Sequence, residues 1–345
     1  MITRTIPAVQ AKAPQEPRSA PAGDWQRQLR EAIRQPRDLL AAVGLDARWL
    51  AGAQLGHEAF EVRVPHAFMA RMRHADPNDP LLRQVLPLAA EGEPVTGFVS
   101  DPLEEADHTP AAGLIHKYAA RVLMITSGAC AINCRYCFRR HFPYAEHTPS
   151  RAQWYDTLDY LRGDDTLREA ILSGGDPLLS SDARLAWLAQ ALGEIPHLKR
   201  LRLHTRLPVV IPDRVDDALL EWLAASRLQK VMVLHINHPA EIDAAVVQAC
   251  ARLKSAGVTL LNQSVLLKGV NDAATTLAAL SERLFEAGVL PYYLHVLDPV
   301  AGASHFDVPD ERARLLVEAL RAELPGFLLP RLVREVPGKP AKTPL

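Results

Sequence analysis

Cysteine is scarce in this chain, with four among 345 residues, so a disulfide-stapled scaffold is excluded. Charge of one sign is also missing. Lys and Arg number 39 against 40 Asp and Glu, for a net charge of −1, which excludes a dominant electrostatic footprint for nucleic acid. No apolar run approaches the roughly 20 residues that span a bilayer. The opening MITRTIPAVQAKAPQEPRSAPAGD lacks the apolar stretch of a secretory signal. These absences predict a cytoplasmic protein with neither nucleic acid nor membrane as partner. In that compartment, clustered cysteines serve more often as metal ligands or redox groups than as disulfides.

What is present is an ordinary globular composition, 48% hydrophobic and 23% charged, long enough for one large α/β domain or two smaller ones. Residues 1–23, rich in Pro and Ala, read as a disordered lead-in. Residues 24–110 read as a mostly helical accessory region: DWQRQLREAI and PRDLLAAVG carry helical patterns, FEVRVP alternates like a strand, and DPNDPLLRQVLPL is a turn and helix. From 111 to 328, β-rich runs alternate with amphipathic helices. The runs are RVLMITS, EAILSG, RLRLHT, KVMVLHIN, VTLLNQSVLL and PYYLHVLD. Gly257 and Gly288 fall where helix C-terminal caps belong, and Asp272 reads as an N-cap. This order predicts a parallel sheet with helical crossovers, too few units for a closed eight-fold barrel. An open partial barrel and a doubly wound sheet both satisfy the pattern. Residues 329–345, with FLLPRLVREV and PGKPAKTPL, form a last strand and tail. Ligands in such folds sit at the C-terminal ends of the strands.

Three of the four cysteines, Cys130, Cys134 and Cys137, fall together in CAINCRYCF, the loop after the first strand of that series. Zinc would need a fourth ligand, for which His141 is available, but the gaps are tighter than usual zinc spacings. An iron–sulfur cluster is the alternative. The remaining Cys250 lies on the apolar stripe Ile242, Val246, Cys250, Leu253 and reads as core. Three ligands leave one iron open, which points to chemistry rather than electron carriage. LSGGDPL follows the next strand; its glycines permit close backbone approach to a ligand, although alone it is only a turn signal.

The C-x₃-C-x₂-C pattern, with an aromatic before its last cysteine, resembles that of the radical S-adenosylmethionine (SAM) enzymes. There SAM binds the open iron of a [4Fe–4S] cluster and is cleaved to a radical. HKYAARVLMITSGACAINCRYCFRR, LSGGDPL, HTRLPVVIPDR, LHINHPAEI, NQSVLLKGVND and the terminal KTP narrow the resemblance to the lysine 2,3-aminomutase family, over everything from about residue 60. That family moves an amino group from Cα to Cβ of lysine with SAM, the cluster and pyridoxal phosphate (PLP). The resemblance implies a partial (β/α)6 barrel. It also implies that Cys130, Cys134 and Cys137 hold the cluster and that Ser173, Gly174, Gly175, Asp176, His235 and Gln263 contact SAM. Lys342 matches the PLP lysine, with Lys339 as competitor, and Lys117, Tyr118 and Arg121 match its phosphate and ring contacts. Arg139, beside the confounding Arg140, matches the arginine that takes the substrate's carboxylate. Asp298 and Glu335 match the carboxylates that take its ε-ammonium; the family's metabolic members carry Asp where Glu335 stands.

The short tail resembles the branch that makes (R)-β-lysine for a separate ligase to attach to elongation factor P. A cofactor lysine so near the end is expected to take its order from what it binds. The cluster would draw on an external electron donor. Two rival readings stay open: a metabolic lysine or other amino-acid 2,3-aminomutase, and a zinc- or cluster-stabilised binding module.

Overall fold

The computed structural model describes residues 24–105, 108–144 and 149–345; the lead-in expected over 1–23 lies outside them. Among the described residues nine strands form one sheet in sequence order: β1 (Leu114–Tyr118), β2 (Arg121–Ser127), β3 (Glu169–Gly174), β4 (Arg200–Thr205), β5 (Gln229–Leu234), β6 (Val258–Val265), β7 (Leu290–His295), β8 (Arg331–Arg334) and β9 (Thr343–Pro344). Strands β2 to β8 run parallel, while β1 and β9 pair antiparallel at the two edges. The edges do not pair with each other, so the expected open barrel is what forms.

Six helices make the crossovers. With α1 (Asp24–Arg30), α2 (Pro36–Ala42) and α3 (Leu50–Ala59) before them, they are α4 (Arg151–Gly163), α5 (Asp182–Gly193), α6 (Asp217–Ala225), α7 (Ala244–Ser255), α8 (Ala274–Glu286) and α9 (Asp310–Glu323). Their starts are written locally. Asp216 accepts from Leu219 N at 2.9 Å and Asp243 from Val246 N at 2.9 Å, caps each contributing about 1 kcal/mol. Gly257 and Gly288, at φ of 76° and 75°, end α7 and α8 in the left-handed turn that glycine favours.

The strands show why the sheet curls around a lumen. In β4, Leu201 and Leu203 face the helices and are fully buried, whereas Arg202 and His204 alternate to the other face and line the central cavity. In β6 the inward set is Gln263 and Val265. Its outward Asn262 and Ser264 are buried and hold the end of β5 through the Ile236 backbone. Burying each such leucine is worth about 1.5–3 kcal/mol. One hydrophobic core cluster joins Trp25, Phe68, Leu81 and Leu82 to barrel residues such as Leu172, Leu203 and Leu260, so the 24–110 region packs on the barrel's own core. Cys250 is part of that core, as its stripe predicts.

Several expectations need correction. FEVRVP forms no strand: only Val64 makes a single bridge, to Ile33, because no neighbouring strand extends the pair. Asp272 caps nothing; its carboxylate closes the preceding loop on Gly269 N at 2.8 Å, and Ala273 precedes α8. Strand β1 went unforeseen, since its tight turn uses Ala120 at φ 63° where glycine or asparagine is the usual signal. Thr343 and Pro344 pair with β8, and Leu345 N donates to Leu332 O at 3.2 Å.

Candidate active site

The residues at and just past the C-terminal ends of the parallel strands converge. Cys130, Cys134 and Cys137 follow β2; Ser173 and Gly174 close β3; His235 follows β5; Gln263 lies late in β6; Asp298 follows β7; Glu335 follows β8. All of them line one cavity of about 320 Å³, as do Gly175, Asp176, Lys117, Tyr118, Arg121, Arg139 and Lys342. Every site residue nominated from sequence therefore borders the same space. Its volume suits a small-molecule site.

The cysteine loop is fixed from below. Gly175 N donates to Ser127 O at 2.8 Å and Asp176 N to Ala129 O at 2.8 Å. A Cβ on Gly175 would lie 2.2 Å from Ala129 O, and one on Gly174, at φ 120°, would lie 2.4 Å from Ser127 O. The close approach that these glycines permit is thus made by the chain itself. The Asp176 carboxylate accepts from Leu178 N, Thr205 Oγ1, Arg206 N and Leu207 N at 3.0, 2.7, 2.8 and 3.0 Å, tying the β3 loop to the end of β4.

The three thiols are half-buried and open into the cavity. Burial pushes Cys137 up to about 11 and Cys130 well above its ordinary value, so a cation is needed to hold them as thiolates. Among the described residues, no three His, Cys, Asp or Glu side chains are placed to share a single metal ion. His141 is engaged with Ala301 O at 3.1 Å instead. No fourth ligand for zinc is therefore assembled beside the three thiols among the described residues. In an iron–sulfur cluster each sulfur meets a different iron, so three thiols need not converge on one ion.

Arg139 and Arg140 separate cleanly. Arg140 turns away to Glu91, at 2.7 Å. Buried Arg139 offers its fork to Glu105, Nε to Oε2 at 2.7 Å and Nη2 to Oε1 at 2.8 Å, while Nη1 donates to Ser173 Oγ at 3.1 Å. A carboxylate already sits bidentate on the group nominated to receive one. Glu105 was invisible to sequence reasoning, an isolated acid in a loop.

Lys342 lies in this cavity and Lys339 is exposed outside it. Lys342 Nζ donates to Glu335 Oε2 at 2.6 Å. Burial opposes ionisation of Glu335, but Lys342, Lys117 and the Tyr118 hydroxyl outweigh it and bring the carboxyl to about 2. Lys117 Nζ stands 3.8 Å from Glu335 Oε1, so side chains link edge strand β1 to the chain just past β8. Arg121 stacks over the Tyr118 ring at 4.4 Å. Burial, then the charge of Glu335, raises Asp298 to about 7.

Three imidazoles face the same space. Burial drives His235 down to about 3 and holds His204 and His295 well below the usual histidine range. His204 Nε2 and His295 Nε2 are buried without a hydrogen-bond partner. Orphaned donors and acceptors in a cavity are groups awaiting a ligand. His204 was readable from the period-two polar face of RLRLHT; His295 had no comparable signal. Three thiols, unpartnered imidazoles, a lysine amine and an arginine fork together fit a [4Fe–4S] cluster, SAM and PLP.

The family model for the radical SAM superfamily matches residues 124–279. An L-lysine 2,3-aminomutase of Escherichia coli is 51% identical over 324 residues, 93% of this chain and 94% of that one. One from Haemophilus influenzae is 47% identical over 96% of this chain and 98% of its own. One from Clostridium subterminale is 34% identical over 93% of this chain and 77% of its own. Identity of this extent places the chain in the L-lysine 2,3-aminomutase family, radical SAM isomerases that use a [4Fe–4S] cluster, SAM and PLP.

Proposed function

We propose that the protein converts (S)-α-lysine to (R)-β-lysine, and that the product serves the modification of elongation factor P by a separate ligase in the cytoplasm. The observation that carries the first part is the single cavity that joins three thiols, an amine, a carboxylate-binding fork and two carboxylates. Support for the second is the higher identity to the E. coli and H. influenzae relatives than to that of C. subterminale. Among the described residues no helix is long and apolar enough to cross a membrane. On this reading residues 111–328 are the catalytic barrel, 24–110 its accessory region and 329–345 the tail that delivers Lys342.

The bound groups would supply a hydrogen-abstracting radical from SAM and the cluster, after reduction by an external donor, and an electron sink from PLP. Cys130, Cys134 and Cys137 would hold the cluster; Ser173, Gly174, Gly175, Asp176, His235 and Gln263 would contact SAM; Lys342, Lys117, Tyr118 and Arg121 would hold PLP. The chain's own contribution is orientation and exclusion of water. Arg139 fixes the substrate's carboxylate in competition with Glu105. Asp298 and Glu335 receive the ε-ammonium, an arriving cation drawing Asp298 into its ionised form. The two acids also reject a side-chain carboxylate.

The test is an anaerobic assay with free lysine, SAM, PLP and a chemical reductant, with chiral analysis of the product. (R)-β-Lysine is expected; glutamate turned over faster than lysine overturns the reading. For the second part, elongation factor P from cells lacking this chain should lose the mass of β-lysine and regain it when β-lysine is fed. Unchanged mass overturns that part.

A further inference from the structure

One buried cation in this site has no place in the roles above. Arg206 follows β4, is 6% exposed, and presses its guanidinium against the cysteine loop. Nη1 donates to Cys134 Sγ at 2.8 Å and to Tyr136 Oη at 2.8 Å. Nη2 donates to Gln84 Oε1 at 2.7 Å and to Glu241 Oε2 at 2.8 Å, and Nε is left without a partner. Its backbone N–H is held by Asp176 at 2.8 Å. Asn237 Nδ2 meets both Gln84 Oε1, at 3.0 Å, and Tyr136 Oη, at 2.7 Å. The guanidinium is clamped on several sides and has little freedom to leave the sulfur.

A neutral thiol is a weak acceptor, whereas a thiolate bound to iron is an anionic one. A guanidinium therefore donates a stronger hydrogen bond to a sulfur that carries charge. Glu241, fully buried, already balances Arg206, and its other oxygen accepts from Gln84 Nε2, Asn237 N and His238 N. The contact to Cys134 is therefore additional to a completed ion pair. Arg63 reaches only the backbone carbonyl of Cys130, at 2.8 Å.

We propose that Arg206 is an electrostatic positioning residue that raises the reduction potential of the cluster by donating a hydrogen bond to the Cys134 sulfur. The inference rests on the three cysteines holding the cluster. Reduction adds one electron from an external donor and breaks no bond, so the whole cost lies in the cluster's extra negative charge. A fixed cation on one ligand sulfur lowers that cost, through charge and hydrogen bonding to sulfur. Glu241 works against it by partly neutralising the cation.

The test is an anaerobic redox titration of the cluster followed by electron paramagnetic resonance, with no SAM, PLP or lysine present. In Arg206→Gln the potential should become more negative, so that the ratio of reduced to oxidised cluster at fixed potential falls about tenfold, which is 59 mV for a one-electron couple. Glu241→Gln should move it the opposite way, and Arg206→Lys should fall between Arg206→Gln and the unaltered protein. Full iron with an unmoved potential in Arg206→Gln overturns the proposal, as does a shift of the same sign in Arg206→Gln and Glu241→Gln. If Arg206→Gln loses its iron, Glu241→Gln decides by its sign. If neither holds iron, the unaltered protein grown on arginine labelled with ¹⁵N in its guanidinium alone decides: a ¹⁵N hyperfine coupling on the reduced cluster supports the contact, and none overturns it. Cys134→Ala keeps the two readings apart, because full iron in that variant would sink the cluster assignment itself.

Discussion

At the cysteine end of the cavity the chain largely satisfies itself: Asp176 accepts four hydrogen bonds, and Arg206, Glu241 and Gln84 close on one another. At the lysine end the opposite holds. His204 and His295 keep buried nitrogens without partners, Asp298 is raised to about 7, and Glu335 is engaged by a lysine that catalysis would take elsewhere. On the proposed reading the first region would hold an inorganic group in fixed geometry. The second keeps polar capacity in reserve for molecules that come and go, which costs stability and confers binding.

The sharpest way to break this comparison is a pair of deletions. Cys137→Ala should lose iron, retain the visible absorbance of bound PLP, and fall to background turnover. Lys342→Ala should retain iron, lose that absorbance, and be equally inactive. If either substitution empties both ends, the two regions are one unit. Next in size is Gly175→Ala. Its new Cβ would lie 2.2 Å from Ala129 O, so the loop root must shift, and iron per chain should drop by more than half while PLP binding holds. Arg139→Met should then raise KM for lysine about 10- to 150-fold, the loss of 1.5–3 kcal/mol from a charged hydrogen-bonded pair. A fall confined to kcat would contradict its binding role.

The smallest effect is a pH dependence. Asp298 has its carboxyl raised above the ordinary Asp value of 3.8 to about 7, so the folded state binds the extra proton between those values. Its contribution to stability is present below 3.8 and is lost as pH rises through about 7. Affinity for the lysine ammonium should rise over the same span, and Asp298→Asn should flatten it. Glu335 acts with the opposite sign: its stabilisation is present above 4.5 and lost as pH falls towards about 2. Binding that stays pH-independent in the unaltered protein from pH 5 to 8 would remove Asp298 from the ammonium site.

The barrel was legible because its signals are local. RVLMITS, EAILSG and RLRLHT match β2, β3 and β4 to the residue, since strand period and buried apolar runs are written in consecutive positions. FEVRVP carried the same alternation and failed, because a strand needs a neighbour that no local pattern supplies. Within the site, the thiols and Lys342 could be nominated from motifs. Glu105 and His295 could not: each matters only because distant parts of the chain bring it against Arg139 or Lys342.

By itself the sequence determined the parallel order of the barrel, the cysteine loop at the mouth of its first parallel strand, and the types of side chain the chemistry needs. Only the tertiary structure decided which of two adjacent arginines faces the cavity, that Glu105 holds its fork, and that Arg206 presses on Cys134. Those choices follow from burial. A guanidinium taken out of water must find its partners wherever the fold has placed them, and partners 34 to 122 positions away leave no trace in local spacing.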